Sequence, residues 1–144
     1  SVETQAAPTV QMVAREQGVP ASGGAAQVTK GADGHYWANA NVNGRWVKFL
    51  VDTGATAVAL TGPDAQRLGI DLASLDYKQP VITANGQTLA AKVSLDRVSV
   101  AGATVENVEA MVVREGLPTS LLGMSYLGRL SRFEATKTAL ILRP

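Results

Sequence analysis

The sequence predicts an all-β domain, a barrel or a sandwich, with one or two short helices. Asn43-Gly44 and Asn85-Gly86 each separate two runs of alternating apolar residues, and an Asn-Gly pair supplies the positive φ values of a tight hairpin turn. Helix-like segments are few and short, whereas strand-like runs follow one another closely. The chain has 144 residues, 46% of them hydrophobic, which suits one compact core.

The first 34 residues contain no aromatic side chain but five of the 14 glycines. This composition is typical of a flexible arm or linker. We therefore predict an arm at residues 1–34 and a folded domain at residues 35–144. The sequence begins with Ser1, so we expect that an upstream signal or anchor segment was removed or left out.

Strands and helices follow from periodicity and turn residues. The apolar face changes phase near Asp96 and Arg97, which predicts a bend or bulge there. Pro63 and Gly69 delimit one short helix, and a second is predicted over Met124–Leu130. The predicted strands are His35–Val42, Arg45–Val51, Pro80–Thr83, Thr88–Leu95, Val105–Val113, Phe133–Ala135 and Ala139–Leu142.

Composition excludes several classes of function. Thirteen Lys and Arg against 12 Asp and Glu give a net charge of +1, without the basic stripe that nucleic acids require. The chain has no cysteine, and His35 is its one histidine, so we expect no metal and no cofactor. No apolar run approaches the roughly 18 residues of a membrane span, and we expect the chain to be soluble.

One carboxylate occupies an unusual position. Asp52 ends the apolar run Phe49-Leu50-Val51 and precedes Thr53-Gly54-Ala55. A carboxylate beside a core strand needs hydrogen bonds or a shared proton. Gly54, which has no Cβ, lets its backbone N–H approach that carboxylate closely.

In this motif the chain resembles the retropepsin-like aspartic proteases (clan AA), whose catalytic turn reads Asp-Thr/Ser-Gly after apolar residues. The resemblance extends to a glycine-bearing hairpin at the position of the family's flap and to the signature Leu121-Leu122-Gly123. It covers about residues 36–142, and in it the chain looks like the bacterial single-domain branch. It implies a closed barrel and an aspartic endopeptidase that acts on a protein substrate.

The chain contains one Asp-Thr-Gly. The other aspartates, at positions 33, 64, 71, 76 and 96, precede Gly, Ala, Leu, Tyr and Arg. Aspartic protease chemistry needs two carboxylates that share one proton, so one chain supplies half a site. The predicted partner is a second copy, with Asp52 of each subunit at the two-fold axis.

The resemblance also assigns roles to neighbouring residues. Thr53 would bond across the dimer axis, Gly54 would donate its N–H to the dyad, and Ala55 would line the cleft. The flap tip, Ala84, Asn85 and Gly86, would close over an extended peptide. The residues Leu121, Leu122 and Gly123 would support the catalytic turn from beneath.

One residue departs from the family pattern. Retroviral members carry Arg directly after the glycine that corresponds to Gly123, where this chain has Met124. The resemblance therefore does not imply a salt bridge that braces the dimer. The resemblance leaves open whether Ala139–Leu142 form an intersubunit sheet. Exported relatives imply a periplasmic location or a membrane anchor facing the periplasm, with a periplasmic or membrane protein as the substrate.

These residues also allow interpretations other than a protease. Asp52-Thr53-Gly54 could be an ordinary tight turn, and the domain could be a catalytically idle module for peptide binding or dimerisation. Ser120 and Ser125 lie in no G-x-S-x-G pattern, and His35 is predicted to lie at the surface or at a strand edge. Trp37 and Trp46 are predicted to pack as a cross-strand pair.

Overall fold

The computed structural model describes residues 26–135 and 139–143; the side chains of residues 26–29 and 135 are outside this description. The helices are α1 (Gly62–Arg67) and α2 (Met124–Leu127), and a 3₁₀ turn covers Leu72–Ser74. The strands are β1 (Ala26–Thr29), β2 (Trp37–Val42), β3 (Arg45–Val51), β4 (Val58–Leu60), β5 (Gln79–Thr83), β6 (Gly86–Val100), β7 (Ala103–Val113), β8 (Leu121–Leu122), β9 (Arg132–Ala135) and β10 (Ala139–Arg143).

The strands form two sheets. Seven are arranged in the order β2-β3-β8-β4-β7-β6-β5, and three in the order β1-β10-β9. Strand β2 also pairs with β6, with Ala40 opposite Val100, so the larger sheet folds back onto its first strand. The mostly-β class with two short helices is confirmed, while the closed barrel stays a prediction.

The first Asn-Gly hairpin forms as predicted. Asn43 and Gly44 have φ values of 52° and 91°, and the Asn41 side chain accepts a hydrogen bond from Gly44 N at 2.9 Å. The turn docks onto the bend of β6, because Asn43 N donates to Arg97 O at 3.1 Å and Arg97 N donates to Asn43 Oδ1 at 3.0 Å.

The phase change predicted near Asp96 and Arg97 is confirmed. Leu95 and Val98 are buried on either side of these two exposed residues. On the opposite strand, β7, Asn107 has a φ of 55°, and the register continues unchanged across it. Both strands therefore change face at the same level, and no extra residue is inserted.

A single core fills the space between these strands. The largest fully buried side chains include Tyr126, Phe49, Leu60, Leu95 and Leu122. They come from α2 and from four different strands, so the core forms only when distant parts of the chain assemble. This core fixes the end of β3, where Asp52 follows.

Helix α1 begins as its sequence predicts. The Thr61 side chain caps it by accepting a hydrogen bond from Asp64 N at 3.2 Å, and Gly69 follows its end with a φ of 87°. Helix α2 is shorter than predicted, because it ends at Leu127 and Gly128 follows.

Four residues of the predicted N-terminal arm belong to a sheet. Ala26–Thr29 form β1, which pairs with β10 from Ala26 opposite Leu142 to Thr29 opposite Ala139. The predicted turn at Thr136-Lys137 and residues 1–25 lie outside the described residues, and the division into arm and domain stays a prediction. In the part of the chain that the structure describes, no helix has the length and apolar character to cross a bilayer.

Candidate active site

The Asp-Thr-Gly turn (Asp52–Ala55) begins where β3 ends. Asp52 N donates to Leu122 O at 3.1 Å, and Ala55 N donates to Asp52 O at 3.1 Å. The carboxylate bends back over the turn, where its Oδ1 accepts a hydrogen bond from Gly54 N at 2.8 Å. Asp52 is half-buried and Gly54 is exposed, so the oriented carboxyl group is held at the molecular surface.

Strand β8 lies directly beneath this turn. It pairs in parallel with β3, with Val51 opposite Leu122, and it pairs with β4 through Ala59 and Leu121. Leu122 is fully buried, whereas Leu121 is half-buried and faces the groove described below. The short strand therefore fills the gap between β3 and β4, on the two sides of the turn.

Gly123 continues this support, and its lack of a side chain is required. A Cβ at this position would lie 2.3 Å from Ala57 O and 2.7 Å from Ala55 O. The next residue, Met124, donates its N–H to Ala55 O at 2.8 Å. The backbone of residues 122–124 thus contacts the turn at both of its ends.

Two serines that flank this segment were missed as site supports by the sequence reasoning. The Ser125 hydroxyl accepts from Val58 N at 2.8 Å and donates to Glu109 O at 2.7 Å. The buried Ser120 hydroxyl accepts from Thr61 N at 3.1 Å and donates to Asp64 Oδ2 at 2.5 Å. Their partners are distant in sequence, so no local pattern predicts these bonds.

The hairpin Gln79–Ala90 is called the flap here after the role predicted for it, and its tip differs from the predicted turn. Ala84 and Asn85 form the two-residue connection between Thr83 and Gly86, and Gly86 alone among these four has a positive φ, 112°. The Thr83 hydroxyl, which donates to Gly86 O at 3.0 Å and accepts from Asn85 N at 3.1 Å, closes the turn instead. The expectation of a second Asn-Gly turn with two positive φ values was therefore wrong.

A groove of about 330 Å³ lies between the Asp-Thr-Gly turn and the flap. Gly54 and Ala55 line it on one side, and Ile82 and Thr83 on the other. Apolar side chains that include Met111, Val113, Leu117 and Leu121 complete it. The structure thus brings residues of the turn, the flap and the Leu-Leu-Gly segment around one groove, which is lined mostly by residues with apolar side chains.

The two tryptophans do not form the predicted pair. Trp37 lies opposite Leu50, whereas Trp46 lies opposite Asn41, so they occupy opposite ends of the hairpin. Trp46 is 63% exposed, and Trp37 donates its Nε1–H to Asp33 at 2.8 Å beneath the Lys48 ammonium, 4.8 Å from the ring.

His35 is exposed, in keeping with the surface position predicted for it. Its backbone N–H donates to Asp33 at 3.0 Å. This bond and the bond from the Trp37 ring hold the pKa of the Asp33 carboxyl below its ordinary value. Within residues 26–135 and 139–143 no three histidine, aspartate or glutamate side chains gather as metal ligands.

Comparison with known proteins identifies the family. The model of the family described as "gag-polyprotein putative aspartyl protease" matches residues 38–129. The chain belongs to the retropepsin-like aspartic protease family. The match spans the Asp-Thr-Gly turn, the flap and the Leu-Leu-Gly segment, which are the features that carried the resemblance in the sequence.

Relatives of this retropepsin-like chain occur in bacteria. An uncharacterised protein of Rickettsia prowazekii (strain Madrid E) is 45% identical over 115 residues, which are 80% of this chain and 49% of that protein. A second uncharacterised protein, from Sinorhizobium sp, is 42% identical over 112 residues, which are 77% of this chain and 48% of that protein. The chain spans about half the length of these curated relatives.

Solved structures share the fold. A retropepsin-like aspartic protease from Rickettsia conorii is 44% identical with a TM-score of 0.75, over 83% of this chain and 89% of that chain. The EIAV protease in complex with the inhibitor HBY-793 is 19% identical with a TM-score of 0.56, over 70% of this chain and 92% of that chain. At that identity the second likeness concerns the fold alone.

Proposed function

We propose that this chain is an aspartic endopeptidase in which Asp52 and Asp52 of a second copy form the catalytic dyad. The observation that carries the proposal is the Asp52 carboxylate, oriented by Gly54 N at 2.8 Å beside an apolar groove. One carboxyl group of the dyad takes a proton from water while the other polarises the scissile carbonyl. Ordered donors and a fixed turn favour this chemistry because they orient the carboxylate before substrate binds.

The proposed dyad takes its second carboxylate from a partner copy because no other aspartate of the chain stands in an Asp-Thr-Gly turn, and three of the others bond elsewhere. Asp64 lies on α1, bonded to Ser120 and Arg67, and Asp71 caps the 3₁₀ turn. Asp76 pairs with Lys78 at 3.1 Å. The proposed dimer is isologous, with Thr53 of each copy next to the two-fold axis.

The lining of the groove favours an extended peptide with apolar side chains as the proposed substrate. Strand β5 is an edge of the seven-stranded sheet, and its Ile82 is 79% exposed. An edge strand offers main-chain hydrogen bonds to an added strand, while pockets select alternate side chains. The flap tip, Ala84, Asn85 and Gly86, would cover this peptide.

The location of the protein is a separate proposal. We infer a periplasmic site or a membrane anchor facing the periplasm, and the support for it is the resemblance to exported relatives. Fractionation of source cells that express the full-length protein tests it. Recovery in the cytoplasmic fraction alone would contradict it.

Cleavage of a denatured protein at mildly acidic pH tests the chemistry. Asp52→Asn removes the proposed nucleophile activator and is expected to abolish cleavage. The matched control is Asp96→Asn, which changes an exposed aspartate on β6 and is expected to retain full activity. Equal cleavage by the parent protein and Asp52→Asn would overturn the proposal, as would no cleavage by the parent protein.

A mixing experiment tests the shared site. If each site takes one Asp52 from each copy, an equal amount of Asp52→Asn, after subunit exchange, lowers the parent activity to about half, because mixed dimers are inactive. Light scattering on the same samples reports the dimer directly. Unchanged activity on mixing, with a monomeric mass, contradicts the shared dyad.

A further inference from the structure

The flap tip is tied to a loop of its own chain. Asn85 Nδ2 donates a hydrogen bond at 3.0 Å to the carbonyl oxygen of Gly116, which lies in the loop of residues 114–120. The bonds of the Thr83 hydroxyl to Asn85 N and Gly86 O hold the tip backbone in the conformation from which the Asn85 amide reaches this loop.

The same loop is attached to the base of the flap. Arg114 N donates to Leu89 O at 2.9 Å, and the Arg114 guanidinium lies 6.0 Å from the centre of the Tyr77 ring, within cation–π range. The loop therefore contacts the flap at both its base and its tip. Two attachments restrain the hairpin far more than one would, because the tip cannot swing about its base while both are made.

Gly116 permits the close approach at the tip. Its φ is 88°, and a Cβ there would lie 3.1 Å from the Thr83 hydroxyl and 3.7 Å from Asn85 Cβ. Any other residue would be strained at this φ and would press on the residue that closes the flap turn. The contact thus depends on a glycine in the loop and an amide in the flap.

The groove remains open while this bond is made. Thr83 from the flap and Leu117 from the loop both line its volume of about 330 Å³, and they adjoin the two bonded residues. A bond between the flap and the loop therefore shapes the groove without filling it.

We propose that Asn85 and Gly116 form a latch that positions the flap over the groove, so that flap and 114–120 loop act as one preformed cover for the peptide. The effect of the latch on substrate rests on the proposed function. The latch itself is a hydrogen bond within the fold and does not depend on that function. Asn85 is a positioning residue, since it acts through the flap rather than on the reacting atoms. Its loss should weaken peptide binding more than it slows the chemical step.

Hydrogen exchange tests the latch without reference to catalysis. The measurement uses the inactive Asp52→Asn protein at neutral pH, with Asn85→Ala and the isosteric Asn85→Asp, whose carboxylate has no N–H to donate. Amide exchange over residues 80–90 is expected to accelerate about threefold in both, as the loss of one exposed hydrogen bond allows. Asn39→Ala, at an exposed position on β2, is the matched control and should exchange like the parent.

Steady-state kinetics test the role of the latch. With a quenched-fluorescence peptide that carries apolar residues on both sides of its cleaved bond, Asn85→Ala should raise KM about threefold and change kcat less than twofold. Gly116→Ala should act in the same direction because it crowds Thr83.

The outcomes separate the two proposals. Unchanged exchange in both Asn85 variants overturns the latch, and faster exchange with an unchanged KM overturns its role in binding. If the parent protein cleaves nothing, the proposed function fails, and the exchange data alone then decide whether the latch exists.

Discussion

Two glycine-containing turns border the same groove, but the protein holds them in different ways. The Asp-Thr-Gly turn rests on backbone bonds from β8 and Met124, and Gly123 beneath it has no space for a methyl group. The flap tip is held by side-chain bonds of Thr83 and Asn85, and a Cβ on its Gly86 would meet nothing within 4 Å. The contrast shows that the backbone beneath the carboxylate is closely packed, whereas the flap tip is held by a few side-chain hydrogen bonds and can move when these break.

The largest effect is expected from Gly123→Ala. The new methyl group would lie 2.3 Å from Ala57 O, so the backbone under the turn must move, at a cost of about 3 kcal/mol or more in the free energy of unfolding. Urea denaturation measures the loss. Gly62→Ala is the control, because its Cβ meets the Leu72 side chain at an ordinary 3.6 Å; equal stability of the two variants would refute the idea of a close-packed support.

A smaller loss in the free energy of unfolding is expected from Tyr126→Phe, which changes a residue of α2, the helix that follows Gly123. The buried hydroxyl donates to Ala103 O at 2.5 Å, and its removal leaves that carbonyl without this partner, at a cost of about 1–3 kcal/mol at neutral pH. Tyr77→Phe, whose hydroxyl makes a longer bond of 3.4 Å to Leu72 O, should cost less.

Tyr126→Phe should also change how the stability of the protein depends on pH. Burial raises the pKa of Tyr126 above its ordinary value of 10.0, so above pH 10 the unfolded chain releases a proton that the folded protein keeps. The stability from this group is therefore complete below pH 10 and decreases as the pH rises further. Tyr126→Phe should lose less stability than the parent between pH 9 and 11, and an identical alkaline loss in the two proteins would contradict this.

Gly86→Ala makes the same change, from glycine to alanine, at the flap tip. Here the φ of 112° causes strain, but there is no clash, so the expected cost is about 1 kcal/mol. Because the tip can open without unfolding the core once its side-chain hydrogen bonds break, much of this cost should appear as faster amide exchange in residues 83–88 rather than as a lower urea midpoint. A loss of stability as large as that of Gly123→Ala would show that the two turns are equally constrained.

Ile82→Ser should have the smallest effect on folding. The side chain is 79% exposed, so the free energy of unfolding should change by less than about 0.5 kcal/mol. If the groove binds apolar peptides as proposed, KM for such a peptide should rise all the same. A clear loss of stability in thermal unfolding would mean that Ile82 packs in the fold rather than serving the groove.

Much of the fold could be predicted because its signals are local. Asn43 and Gly44 specify one hairpin, and Thr61, Pro63 and Gly69 mark a helix by capping and φ preferences. The strands β4 and β8 were missed, since runs of three and two residues carry no periodicity and are strands only through pairing with distant segments.

The site, like the fold, has features that the local sequence predicts and features that depend on contacts between distant residues. The position of Asp52 at the end of an apolar strand is visible in the sequence, whereas the bonds of Ser120 and Ser125 join elements 16 to 67 residues away. The flap turn shows an intermediate case: Asn85-Gly86 predicted a hairpin correctly, but the Thr83 hydroxyl selected a different turn. Contacts between distant side chains therefore decided what local preference left open.

Strand β10 lies in the middle of the small sheet, with β1 on one edge and β9 on the other. Each copy thus pairs all three strands of this sheet within its own chain, so in the proposed dimer this pairing would need no strand from the partner. If the proposed dimer dissociates into folded subunits, dilution alone would abolish the proposed peptidase activity. At low concentrations the specific activity of the proposed dimer would then increase in proportion to the amount of protein.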